Sequence, residues 1–370
     1  MKIIKYIGFY NHHDSPTKRI SHLSSVNKMN YVVECLNESG YQVEIISPSW
    51  ITHDNNKFFV SSETKKIHQN KFRYAPSVKG KFGFQYLSIF ISAMWLFFYL
   101  IFNTKKDEKI IVYHSLWLSA PVYYAQKIKR FQIVLEIEEI YGDIWNFKKI
   151  LVRYEKRIIA ISAAYLLASD LLKEKLDSRK NSILLYGAYA IKNQLELPIN
   201  TAKTSVDVVY AGGIEKVRAG AFISVDIIER LPENYFLHIL GFGSDEDVNE
   251  LKAKIENSIA KERIKFHGSL KGEAFTDFLS KCDVGLNPQI VGKYMDSAFP
   301  SKILTYLNAG LNVISSKVES IYRSEISKNI FFYDELDDVK NFEVKAIDRD
   351  LIKNLHHSFK QNLKAILNDK

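Results

Sequence analysis

Four segments combine residue types and spacings that chemistry can use. In Tyr210-Ala211-Gly212-Gly213-Ile214-Glu215-Lys216-Val217-Arg218-Ala219-Gly220, paired glycines follow an apolar run. Glycine there would let backbone N–H groups approach a phosphate closely, with Lys216 and Arg218 as countercharge. The plainer alternative is a tight turn followed by solvated bases. Gly241-Phe242-Gly243-Ser244 closes a second apolar run, where a nucleotide base or ribose could lie against bare backbone or the chain could simply turn. Phe299-Pro300-Ser301-Lys302 reads as the opening of a helix that Gly310 ends: Pro300 suits its first turn, and Ser301 and Lys302 stand where they could meet an anion. The fourth segment is acidic, Glu136-Ile137-Glu138-Glu139-Ile140-Tyr141-Gly142-Asp143. Clustered carboxylates repel one another and raise at least one pKa, which suits a proton acceptor for an attacking hydroxyl. Glu138 and Glu139 are the candidates for that role, against a solvated acidic turn.

Histidines offer less. His12 and His13 follow the first apolar run and His114 ends another, so all three could border an acceptor or be ordinary loop histidines. His356 and His357 stand on a terminal helix. No cluster has metal-ligand spacing.

These segments need strands to carry them, and the hydrophobic pattern supplies strands. Met1 to Tyr10 reads as a strand and its loop, without a cleavage site for a signal peptide. Asn27–Leu36 has helical periodicity, Gly40 ends it, and Gln42–Ser47 is a β-branched run. The pattern recurs: strand Lys109–His114, helix Pro121–Lys129 and strand Phe131–Ile137, then short strands at Arg157–Ser162 and Tyr165–Ser169, helix Asp170–Leu176 and strand Ser182–Tyr186. After a polar stretch, Ala190 to Ser205, a second series begins at Val206–Tyr210 and runs through Leu237–Leu240, Ile264–His267, Val284–Asn287 and Val313–Ser315. Leu351–Leu367 closes the chain as an amphipathic helix. Alternating strands and helices predict an α/β fold of two Rossmann-like, doubly wound parallel-sheet domains, in which ligands bind beyond the carboxyl ends of the strands. The expected domains are 1–189 on the acceptor and membrane side, a linker at 190–205, a donor domain at 206–345, and a closing helix at 346–370.

Composition narrows the class. The chain has 370 residues, 46% hydrophobic and 25% charged, which excludes disorder and leaves room for two full cores. Two cysteines, Cys35 and Cys282, make neither a disulfide framework nor a zinc site, and point to the cytoplasm. The net charge of +9 is unevenly held, +11 over residues 1–200 and −2 over 201–370. Seven Lys and Arg fall between Ile51 and Gly83 against Asp54 and Glu63, and the uncharged stretch Phe82–Thr104 follows at once. That stretch predicts a helix packed within the domain with one side open to lipid, rather than a true span that would cut through the β/α series. The basic stretch beside it would favour an anionic membrane surface. No nucleic-acid recognition motif accompanies the charge.

Gly212 and Gly213 with Lys216 and Arg218, then Gly241 and Gly243, then Asp283–Pro288, then Pro300-Ser301-Lys302 with Tyr306-Leu307 and Ala309-Gly310 occur in the order and spacing of a family. The second half resembles the donor-binding half of GT-B glycosyltransferases, in particular the bacterial family 4 type of surface polysaccharide assembly. The resemblance implies two domains facing a central cleft, with the last helix returning to the first domain. It implies a nucleotide-sugar donor, UDP-linked, as substrate and no separate cofactor. The diphosphate would be held without a metal by Lys216 or Arg218 and the helix start near Ser301. Where family members carry two glutamates around the proline, this chain has Ser297, beside Asp296, and Thr305. The usual Gly-Arg is Gly212-Gly213, and the usual His-Asp of the first domain becomes Glu138-Glu139.

The function implied is transfer of a sugar to a hydroxyl of a glycan or polyprenyl-diphosphate-linked glycan in capsule or lipopolysaccharide synthesis, with retention at the anomeric carbon. It would take place at the inner face of the cell membrane. Two alternatives have other chemistry: a non-catalytic GT-B subunit that binds a partner transferase or glycan, and a sugar-nucleotide epimerase of the same architecture.

Overall fold

The computed structural model describes residues 2–12, 15–52, 55–80, 84–144, 147–189, 204–290 and 298–369. The chain forms two compact units, Met1–Ala188 with His357–Lys370, and Tyr189–His356. The division between the units falls inside the last helix. Most of the expected linker, 190–203, lies outside the described residues, as do His13, Asp296 and Ser297.

In the first unit, β1 (Ile3–Ile7), α1 (Leu23–Glu38) and β2 (Gln42–Ser47) make the opening β/α/β unit. Gly40, at φ +85°, turns the chain between α1 and β2 in a backbone region that favours glycine. There follow β3 (Phe59–Val60), β4 (Glu63–Ile67), β5 (Asn70–Tyr74) and β6 (Ser77–Val78), then α2 (Phe84–Asn103). The β/α alternation resumes with β7 (Lys109–Tyr113), α3 (Leu116–Lys129), β8 (Gln132–Ile137), α4 (Tyr141–Ile144), α5 (Lys149–Ile161), β9 (Ala164–Leu167), α6 (Asp170–Lys175) and β10 (Asn181–Leu184). The sheet order is β10-β9-β8-β7-β1-β2-β5-β4, parallel except for the β4–β5 hairpin. Its central strands are buried on both faces, as a sheet covered by helices on each side requires.

Three expectations change here. Arg157–Ser162 is the end of helix α5, not a strand. Ile158, Ile159 and Ile161 favour strand locally, but Glu155 and Ile158, the buried positions, are spaced for one helical face. α3 begins at Leu116 rather than at Pro121, which sits inside the helix while Leu116, Leu118 and Val122 are buried with it. The segment 59–78 is a set of short strands, with cationic side chains on edge strand β4 that discourage pairing with another chain. Its charge is largely committed: Lys71 and Arg73 pair with Glu44 at 3.5 and 2.5 Å, and Lys65 with Glu63 at 3.2 Å.

α2 is long and apolar enough to cross a membrane. Of its polar residues, Ser88, Ser92 and Tyr99 are buried and Gln85 is exposed. The last turns of α12 (Arg349–Asn368) dock on the first unit: Phe359 lies 5.7 Å from the Tyr31 ring, Lys360 pairs with Glu38 at 2.7 Å, and Lys109 Nζ donates to the Ile366 carbonyl at 2.5 Å.

The second unit is regular: β11 (Val206–Ile214), α7 (Gly220–Ile228), β12 (Tyr235–Gly243), α8 (Asp245–Glu256), β13 (Ile264–Gly268), α9 (Gly272–Leu279), β14 (Val284–Asn287), α10 (Lys302–Asn308), β15 (Asn312–Ser316), α11 (Glu319–Tyr322) and β16 (Ile330–Tyr333). All six strands are parallel, in the order β13-β12-β11-β14-β15-β16. Gly310, at φ +86°, ends the α10 segment as the sequence predicts.

Candidate active site

The glycine pairs do not sit in loops. β11 and β12 run on together through them, Gly212 opposite Gly241 and Ile214 opposite Gly243. A Cβ on Gly241 would collide with the Gly212 carbonyl, and one on Gly243 with the Ile214 carbonyl. Those two glycines therefore serve close strand approach.

Gly212 is different. A Cβ there would lie 2.8 Å from Lys302 Nζ and 3.0 Å from the Tyr210 hydroxyl. The Lys302 side chain as a whole is half-buried, yet its ammonium lies inside, 4.2 Å from the centroid of the Tyr210 ring. Desolvation, and then repulsion from Arg218, pull its pKa down to about 8. Two tyrosines frame this corner. The Tyr210 hydroxyl donates to the Gly213 carbonyl at 3.0 Å, and Ala211 N–H donates to the Tyr306 hydroxyl at 2.8 Å. Glycine at 220 leaves room for the Tyr210 ring, since a Cβ there would stand 2.7 Å from its hydroxyl, and Gly285 does the same for Tyr306.

The other predicted donor residues divide. Arg218 is 70% exposed, pairs loosely with Glu215 at 3.4 Å, and is near enough to Lys302 to disfavour its charge. Lys216 points elsewhere: it pairs with Glu250 at 2.7 Å, and its backbone N–H donates to Asp247 at 3.2 Å. Pro300 and Ser301 open α10, but the Thr305 hydroxyl donates back to the Ser301 carbonyl at 3.2 Å within the helix. A Cβ on Gly213 would first meet the nearby Glu215 carboxylate, at 3.1 Å.

In the first unit, the carboxyl ends of β1, β7 and β8 bring an ionisable group together. Glu138 pairs with Lys28 of α1 at 2.5 Å and keeps a quarter of its side chain exposed, whereas Lys28 is 5% exposed. Glu136, two residues back and on the same strand face, is fully buried and accepts from the Tyr6 hydroxyl. Burial, opposed by Lys28, pushes its carboxyl up to about 7. Glu139 is half-buried, and its carbonyl lies 3.2 Å from His114 Nδ1.

His114 itself is buried, and burial holds its pKa down near 4, so the ring is neutral. It packs 5.2 Å from Tyr141 and 3.4 Å from the Glu155 carboxylate. It therefore steadies the acidic loop rather than reaching an acceptor. Glu155 is also buried, and its two oxygens accept from the N–H groups of Tyr141 at 2.7 Å and Gly142 at 2.9 Å, fixing the turn that follows Glu139. His12 is half-buried with its ring 6.0 Å edge-on from Phe72. His13 lies outside the described residues. Among the described residues no group of three or more His, Cys, Asp or Glu side chains could hold a metal ion.

Sequence reasoning missed Lys28 and Glu155 and assigned no role of their own to Glu136, Tyr210 and Tyr306. A signal existed for three of them, a charge set in an apolar face: Lys28 between Val26 and Met29 of α1, Glu136 within the run Gln132–Ile137, and Glu155 one turn from Leu151 and Ile158.

Two Rossmann-like parallel-sheet units are the architecture of GT-B glycosyltransferase structures. Comparison with known proteins agrees. Residues 205–347 match the model of the family Glycosyl transferases group 1. A sequence search of curated proteins gives no match. Among solved structures, one described as trehalose-6-phosphate from E. coli bound with UDP-2-fluoro glucose is similar with TM-score 0.64 at 8% identity, covering 100% of this chain and 99% of that one. Sucrose-phosphate synthase from Thermosynechococcus elongatus is similar with TM-score 0.60 at 15% identity, covering 100% and 95%. The lipopolysaccharide outer core galactosyltransferase WaaB in its apo form is similar with TM-score 0.60 at 14% identity, covering 98% of each chain. At such identities the likenesses show the fold; the family match over residues 205–347, together with that fold, supports a glycosyltransferase.

Proposed function

We propose that the protein transfers a sugar from a nucleoside-diphosphate carrier, UDP-linked, to a hydroxyl of a glycan or polyprenyl-diphosphate-linked glycan in bacterial surface polysaccharide synthesis. The observation that carries the proposal is the Lys302 ammonium, desolvated over Tyr210 beside the bare backbone of Gly212, with Arg218 nearby. Two cations crowding one corner, one of them with a depressed pKa, favour a multiply charged anion between them. A diphosphate leaving group is such an anion.

In the reaction the bond from the anomeric carbon to the diphosphate oxygen breaks, and a bond from that carbon to the acceptor oxygen forms. Lys302 and Arg218 stabilise the charge that builds on the departing diphosphate. Glu138, paired with Lys28, takes or orients the acceptor proton. The stereochemistry proposed is retention, by the family resemblance, with no metal or further cofactor. The reaction is placed in the cytoplasm at the inner face of the cell membrane, where a lipid-linked acceptor is available. Nucleotide release by the purified protein, screened across UDP-sugars with lipid extract as acceptor source, tests the reading. Release that depends on both donor and extract supports it, and no release with any donor contradicts it.

A further inference from the structure

Helices α2, α3 and α5 lie side by side, α2 against α3 and α3 against α5. Their crossovers run along the sheet in the direction opposite to that of α1, which puts them together on the face that α1 does not cover. Along α2, Tyr86, Phe90, Phe98 and Phe102 are spaced in multiples of four, and they are 70%, 62%, 47% and 78% exposed. On the neighbouring helices Tyr124 and Ile128 of α3 and Ile150 of α5 are also exposed. Surface patches of this kind are uncommon without a partner.

The charges of these helices have one sign. α2 carries none; α3 carries Lys127 and Lys129, and α5 carries Lys149, Arg153, Lys156 and Arg157. Their one acidic residue, Glu155, is buried. The Arg157 guanidinium lies 5.3 Å from the Tyr154 ring and Lys127 lies 5.6 Å from the Tyr123 ring. Cations beside amphipathic rings suit the headgroup level of a bilayer.

α2 is also tied down. Ser92 accepts from Trp50 Nε1 at 2.7 Å, Ser88 and Ser77 share a hydrogen bond at 2.8 Å, and Leu96 and Leu100 are fully buried. Extracting the helix to span a bilayer would break these bonds and open the core.

We infer that the α2–α3–α5 face docks on an anionic membrane, with α2 lying in the plane of the surface. The inference rests on the reading above that the acceptor is presented at a membrane, and it moves the contact from the basic 51–83 segment to these helices. A second copy of the chain is disfavoured as the occupant, because a two-fold pairing would set the six cations against themselves, whereas acidic lipid headgroups neutralise them.

Flotation of the full chain with phosphatidylglycerol–phosphatidylethanolamine vesicles, against phosphatidylcholine vesicles, tests the inference. Wild type floats with the anionic vesicles. The Phe90→Ser/Phe98→Ser variant loses at least about tenfold in partition. The Lys149→Gln/Arg153→Gln/Lys156→Gln variant loses about fivefold per cation on anionic vesicles only. Wild type that stays unbound, or variants that both bind like wild type, would overturn the inference. So would a lipid-free dimer that dissolves in the Phe90→Ser/Phe98→Ser variant. Titration with UDP on the same samples separates the two readings: UDP binding without flotation contradicts this face alone, and flotation without UDP binding supports the face while counting against the transferase reading.

Discussion

Lys302 Nζ stands 4.2 Å above the Tyr210 ring, with the bare backbone of Gly212 in the position where any side chain would touch it. A lysine held this way has lost much of its hydration and gains most when an anion replaces the missing water. Lys302→Ala should therefore weaken UDP binding by about ten- to a hundredfold, the range of one charge-assisted hydrogen bond. Arg218→Ala, at the exposed rim, should weaken it less. Lys216→Ala should change it little, because Lys216 is engaged with Glu250.

The same lysine makes binding depend on pH. Its free pKa is about 8, and a bound diphosphate would favour the charged form and raise that value. Binding then takes up a proton, so affinity should be steady below about pH 8 and fall as pH rises through it. Titrations from pH 6.5 to 9.5 should show that fall in wild type and not in Lys302→Ala.

The glycines should separate by what a Cβ would strike. Gly212→Ala meets the end of a flexible lysine, so it should lower UDP affinity with little loss of stability. Gly241→Ala meets the Gly212 carbonyl in the strand ladder and should destabilise the second unit by about 3 kcal/mol. Denaturant unfolding followed beside UDP titration reads both.

Glu138→Gln should lower turnover with UDP affinity retained, because the carboxylate belongs to the acceptor step. Lys28→Met should lower turnover too, by freeing Glu138 from its 2.5 Å partner. Full turnover in both Glu138→Gln and Glu139→Gln would remove the acidic loop from the mechanism.

Two buried groups in the first unit act on stability with opposite signs. Glu136 has its carboxyl raised to about 7 by burial, so its contribution is present below its ordinary range and lost as pH rises through about 7. His114 is depressed to about 4, so its contribution is present above about 6.5 and lost as pH falls toward 4. The two windows overlap, so between about pH 4.5 and 6.5 the two slopes oppose each other in wild type; Glu136→Gln should unmask the fall that His114 sets, so that stability measured by denaturant drops more steeply from about pH 6.5 toward 4.

The β/α alternation was legible because buried parallel strands are short apolar runs between amphipathic helices. The carboxyl ends of those strands then pointed to Lys302, Arg218, Gly212 and Glu138. What misled was local. In α5 a β-branched cluster masks a helix whose face is marked by a buried glutamate. At Gly241 and Gly243 a turn-like composition hides a strand, because glycine answers equally to a turn and to two backbones in close approach. Tyr210 and Tyr306 carry no sequence signal, since their roles depend on Gly220 and Gly285, which only the fold brings beside them.

Calorimetric titration of UDP into wild type and Lys302→Ala tests the central claim most directly. Saturable binding to wild type is expected, weakened at least about tenfold in the folded variant. Equal affinity in the two proteins, or no binding of UDP by wild type, would contradict it.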